Sequence, residues 1–143
     1  MGNFGETAVR AVELYVREGH LSPRTAWDQA AAELLRTTSM REKGCPRATF
    51  LSLCQEGLVP GIPPGSYTTA HENRDHAIEA VRRLSADETL GAEGPRRLWK
   101  LIAGEKCHNE QMDVVLALWK HGLVQLDVVA EPGRAAGTKG KGQ

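Results

Sequence analysis

The strongest constraint on this chain is that it partly repeats itself. Ser22-Pro23-Arg24-Thr25-Ala26-Trp27 is echoed by Gly94-Pro95-Arg96-Arg97-Leu98-Trp99, with Pro, Arg and Trp in register. Leu51-Ser52-Leu53-Cys54-Gln55-Glu56-Gly57-Leu58-Val59 is echoed by Leu116-Ala117-Leu118-Trp119-Lys120-His121-Gly122-Leu123-Val124, and Ala8-Val9-Arg10-Ala11-Val12 by Ala77-Ile78-Glu79-Ala80-Val81. Three matching segments in one order define a unit used twice, over about 4–59 and 71–124, with a linker at 60–70.

Each unit reads as three helices. The first runs from about Glu6 to Glu18, with Val9, Val12 and Val16 at helical spacing, Asn3 and Glu6 as a capping box and Gly19 as the stop. In the second, Ser22 caps, Pro23 fills the first turn, and Trp27, Ala30, Ala31, Leu34 and Leu35 form one stripe. A third starts near Pro46, buries Phe50, Leu51 and Cys54, and stops at Gly57. The linker holds Pro60, Pro63 and Pro64 among glycines, so it is neither helix nor central strand. The second unit repeats the scheme from near Asn73, from Pro95 and from near Asn109, burying Ile78, Trp99 and Trp119 among others and stopping at Gly122. The fold class is therefore all-α: six helices as two divergent trihelical repeats in a single domain, 1–130. Val124, Leu126 and Val128 alternate as a short strand or wing near the C-terminus. From Glu131 to Gln143 the chain lacks apolar periodicity and reads as a disordered tail.

Composition narrows the setting. The chain is 41% hydrophobic and 25% charged, the balance of a soluble globular domain. No apolar run approaches the roughly 18–20 residues that cross a bilayer. The start, Met1 to Glu6, lacks signal-peptide features, and Gly2 lacks the rest of a myristoylation pattern. The expected location is cytoplasmic, with no membrane partner. Lys plus Arg equals Asp plus Glu at 18 each, which lowers the expectation of phosphate-backbone binding. The three cysteines form no C-x-x-C pair and are odd in number, as for reduced thiols.

Gly44-Cys45-Pro46 leads into Phe50-Leu51-Ser52-Leu53-Cys54, Gly65 to Thr68 forms a Gly-x-Tyr-Thr turn, and Met112-Asp113-Val114-Val115 leads to Leu118-Trp119. With these motifs the chain resembles an uncharacterised family of small, mostly helical bacterial proteins of unknown function. The resemblance covers most of the chain before the tail and implies no activity.

Candidate chemistry centres on Cys45, at a helix start behind Lys43, where amides and a cation favour a thiolate. Glu105-Lys106-Cys107-His108 occupies a similar place in the second unit, with His108 as a base for a thiol. No third, orienting residue is visible, and the simpler reading of both cysteines is as small, semi-buried residues at helix junctions. Spacings suit no metal: His71 and His76 are off the i, i+4 spacing, and Cys45 and Cys54 are far apart. No nucleotide-binding glycine motif occurs, so no cofactor is implied. Arg41, Lys43 and Arg47 surround the start of the third helix, as in a helix-turn-helix nucleic-acid-binding module, but Gln55 and Glu56 follow and base-reading residues are few. The favoured reading is a small non-catalytic interaction or regulatory protein. It binds a protein or small ligand at the repeat junction, around Cys45, Arg47, Tyr67, Cys107 and His108. Nucleic-acid binding is the alternative, and a thiol-dependent enzyme stands third.

Overall fold

The structure, a computed structural model, describes residues 3–19 and 21–126. Seven α-helices and one 3-10 helix form among them: α1 (Asn3–Glu18), α2 (Pro23–Leu34), α3 (Thr38–Arg41), α4 (Gly44–Gln55), α5 (His71–Ala86), the 3-10 helix (Glu88–Glu93), α6 (Pro95–Ala103) and α7 (Gln111–Lys120). The chain is all-helical, as expected, and no strand forms among the described residues. Of the strand read at 124–128, the described residues 124–126 form none. Gln125 donates its backbone N–H to the Leu58 carbonyl at 2.9 Å, Val124 is buried, and Val128 lies outside the described residues, as does the tail.

Local chemistry sets the helix ends. The Ser22 side chain accepts from Thr25 N at 3.1 Å, and Pro23 follows at a position needing no donor. α4 and α7 stop in the same way. Gly57 (φ 77°) and Gly122 (φ 69°) adopt left-handed backbone. Leu58 then donates to Leu53 O and Leu123 to Leu118 O, which closes a Schellman motif at each end. Two short elements were not legible as helices. Thr37 accepts from Met40 N to start α3, and Asp87 accepts from Thr89 N to start the 3-10 helix. Side-chain caps, not apolar periodicity, make both, so the six expected helices become eight elements. Asn3 lies inside the first turn of α1, so it does not cap that helix.

The helices interlock. α1 packs on α2 and α7, while α4 packs on α2, α5 and α7. Trp27 and Phe50, both buried, meet at 5.4 Å between ring centroids. Leu53, Leu58, Leu84, Leu98, Met112 and Leu118 complete the core. The buried face of α1 is Phe4, Ala8, Ala11, Val12 and Leu14, which corrects the expected valine stripe: Val9 is only half-buried and Val16 is 61% exposed. The linker is ordered against the body. Ile62 is buried, and the Gln55 side-chain oxygen accepts from both Tyr67 N (2.8 Å) and Thr68 N (2.9 Å).

α1 and α7 approach closely at Gly5. A Cβ there would lie 2.7 Å from Ala117 Cβ and 2.9 Å from the Asp113 carbonyl oxygen. A backbone oxygen cannot rotate away as a side chain does, so Gly5→Ala forces the two helices apart. Urea denaturation should show a loss of about 1–3 kcal/mol, the usual cost of overpacking. An unchanged midpoint would mean that the seam yields freely.

Candidate functional site

Three helices begin around one cleft. Cys45 comes from the first turn of α4, Asn73 and His76 from the first turns of α5, and Gln111 from the start of α7. Trp99 of α6 and Lys106, Cys107 and Asn109 of the following loop complete a hollow of about 240 Å³. Trp99 organises this wall. It is 5% exposed, and its Nε1 donates to the Lys106 carbonyl at 2.7 Å, which holds the loop down. His76 meets the indole edge-on at 4.9 Å and His108 lies against it at 5.3 Å. The matching Trp27 is a pure core residue whose Nε1 has no partner among the described residues. The same residue thus does two different jobs in the two matched segments.

The polar groups of the cleft are knitted together. Gln111 Nε2 donates to Asn73 Oδ1 (3.3 Å), and Asn109 N donates to Gln111 Oε1 (2.6 Å). Lys106 pairs with Glu72, whose carboxyl that ammonium, through its hydrogen bond, holds below the usual range. Lys43 pairs with Glu110, the one non-glycine residue with left-handed backbone (φ 65°) among those described, and so ties the start of α4 to that of α7. α5 and α7 carry Glu72 and Asp113 in their first turns, whereas α4 starts without an acidic residue, so its amide end is the helix start that carries roughly half a positive charge. His76 Nδ1 is buried without a partner among the described residues.

Of the residues singled out from sequence, Cys45 and Cys107 line this cleft together. Tyr67 does not line it. Its hydroxyl donates to Pro63 O at 2.6 Å and its ring fills the space where a Cβ of Gly65 would sit, so the Gly-x-Tyr-Thr motif is a turn device. Burial first, then the neighbouring Tyr15 and Cys54, push its phenol pKa up. Arg47 is half-buried on α4 and outside the cleft lining. Arg41 donates to the Leu35 carbonyl at 2.8 Å.

His108 is placed differently from the expectation of a thiol base. Its Nε2 accepts from Met112 N at 3.1 Å, so the neutral ring carries its proton on Nδ1 and has no lone pair left for a thiol. Burial pushes its pKa below the ordinary 6.5, only partly offset by Asp113 and Glu110. Asn73, His76 and Gln111 were not legible as site residues. They are polar residues of helix starts, which carry no signal of their own in the sequence, whereas Lys106 and Cys107 of the same wall were singled out there. Among the described residues no group of three or more His, Cys, Asp and Glu side chains is arranged to hold a metal.

A helical bundle with a small polar cleft at converging helix starts is the class of protein that these features define. The chain belongs to a family of unknown function (DUF6979), whose model matches residues 1–125. No curated protein and no solved structure matches it. No helix among the described residues is long and apolar enough to cross a membrane.

The cysteines should separate into three reactivity classes. Cys107 is exposed, Cys45 half-buried, and Cys54 fully buried with its thiol pKa pushed up by burial. A disulfide reagent at neutral pH should label Cys107 first, Cys45 more slowly, and Cys54 only on unfolding. Fast labelling of Cys54 in the native protein would contradict this packing. His108→Ala should cost about 1 kcal/mol through the lost helix cap, and His108→Asn less. Because burial lowers the folded pKa of His108, its contribution is complete above about pH 6.5 and lost as pH falls below that value. The difference in stability between wild type and His108→Asn should therefore shrink on acidification from pH 7 to 5. A pH-independent difference would show that protonation is not linked to the cap.

Proposed function

We propose that the chain is a cytoplasmic, non-catalytic binding protein, made by fusing two divergent trihelical units, that holds a small polar or anionic molecule at their junction. The observation that carries this reading is the shared cleft: Cys45 of the first matched unit and Cys107 of the second line the same hollow. Its volume, about 240 Å³, falls below the roughly 300–1,000 Å³ of pockets for drug-sized ligands, which favours a small metabolite over a protein segment. Gln111 holds Asn73 and Asn109 in place, which leaves the Asn73 amide nitrogen and the Asn109 side chain to meet a ligand, and the start of α4 favours negative charge. Fusion of two units is supported by the common Schellman ends of α4 and α7 and by the proline starts of α2 and α6. It also accords with the exchange of partners, in which α1 packs on α7 and α4 on α5.

A nucleic-acid interface draws less support. Arg41 is committed to the Leu35 carbonyl and Lys43 to Glu110, which leaves Arg47 as the remaining cation of the three. The thiol-enzyme reading loses the base expected for it, because His108 Nε2 is taken up by Met112 N.

The experiment is a thermal-shift panel of small anions and polar metabolites. A ligand at about 100 times its Kd stabilises by about 2.7 kcal/mol, a shift of several degrees. Cys107→Trp should erase that shift by filling the cleft from an exposed position, without lowering the melting temperature of the free protein. A shift that survives Cys107→Trp would place the binding elsewhere, and a panel with no hit would remove this reading.

A further inference from the structure

The outward face of α1 carries a pattern that the cleft does not use and that meets the core only at Val9. Glu6, Val9 and Arg10 recur seven residues on as Glu13, Val16 and Arg17. Two turns of helix separate the copies, so all six residues lie on one stripe. Val16 is the one exposed large hydrophobic residue among those described, at 61%. Beside it an apolar groove of about 470 Å³ runs between α1 and the turn after α7, floored by Val9, Val12, Val16 and Leu123. Two further hollows of about 270 Å³ each continue along the same α1–α7 seam.

We propose that this face is the interface with a second copy of the chain, α1 lying antiparallel to its mate across a twofold axis. The charges select that occupant. Glu6 and Arg17 are centred between Ala11 and Val12, and so are Arg10 and Glu13. Val9 and Val16 are centred one residue further on, so in that register each Val16 stands about 3 Å along the axis from the mate's Val9, within the span of its groove. In an antiparallel pair each Glu6 then lies level with the Arg17 of its mate, each Arg10 with the mate's Glu13, and each Val16 enters the opposite groove over Val9. This is the self-complementary pairing, i on j and j on i, that a twofold interface requires. A parallel mate would set glutamate beside glutamate. A uniformly acidic or basic partner would repel half of the stripe. Among the described residues Glu6 and Arg17 form no ion pair within the chain, so both are available. Arg10 is already fixed at the rim by Glu33 (2.9 Å) and Glu13 (3.4 Å).

Sedimentation equilibrium of the full chain over a concentration series tests this. The expected result is a reversible dimer whose dissociation constant rises with salt. Val16→Lys should give a monomer at every concentration with an unchanged helical spectrum, since the side chain is exposed in the isolated chain. Glu6→Arg and Arg17→Glu should each weaken the dimer about tenfold, because the twofold counts each lost pair twice, and the two together should restore it. A chain that is monomeric throughout overturns the proposal and leaves the groove to another occupant. A dimer indifferent to Val16→Lys, or a double charge swap no better than the single changes, overturns it as well.

Discussion

α1 rests on α7, and most of the architecture follows from that contact. At Gly5 there is room for no side chain atom at all, since Ala117 and the Asp113 carbonyl occupy the place where a Cβ would be. Close approach there sets α1 along α7, with Val9 beside Ala117 and His121 and, further on, Val16 beside Leu123 in a shared groove. The two helices consequently run in the same direction. Parallel neighbours cannot be joined by a tight turn, so α2 to α6 become one long connection wrapped around the seam. The start of α7, held on one side by α1 and on the other by the Lys43–Glu110 pair, then brings α4 and α5 to the place where the cleft forms.

That cleft is a by-product of how the helices begin more than of how they pack. Apolar contacts fix Leu98, Met112 and Leu118 in the core, but the walls around Cys45 and Cys107 are made by the His108 hydrogen bond to Met112 N, a left-handed Glu110 and an indole hydrogen bond. Trp99 sits where the two systems meet. Its ring is buried with the core, while its nitrogen anchors the Lys106 carbonyl and its faces seat His76 and His108. Removing the indole would disturb the loop geometry before it emptied the core.

What was legible in the sequence and what was not divide along the same line. The helix starts at Pro23 and Pro95 and the stops at Gly57 and Gly122 were readable because each depends on one residue type with a single backbone use. The buried face of α1 was misread because alanine carries much of it. Ala8 and Ala11 are fully buried yet weigh little against Val9 and Val16 in any hydrophobic pattern. α3 and the 3-10 helix were missed because polar side chains of Thr37 and Asp87 create them without periodicity. Cys45 and Cys107 were singled out from similar sequence surroundings, and the fold sets both on one cleft. Asn73, His76 and Gln111 had no such signal, since only the fold brings three separate helix starts together. Tyr67 was assigned to the site when its environment is the turn held by Gln55.

The seam between α1 and α7 also has a consequence in time. Its partners stand near opposite ends of the chain, so during synthesis the first helix is made long before the surface that receives it. Until α7 leaves the ribosome, α1 has only part of its cover, from α2 and from Lys43 over the Phe4 ring. Closing a contact of such sequence separation is entropically slow, and the chain cannot finish folding piecemeal from its N-terminus. A nascent chain of this design passes through a stage in which its earliest helix waits, half covered, for its latest.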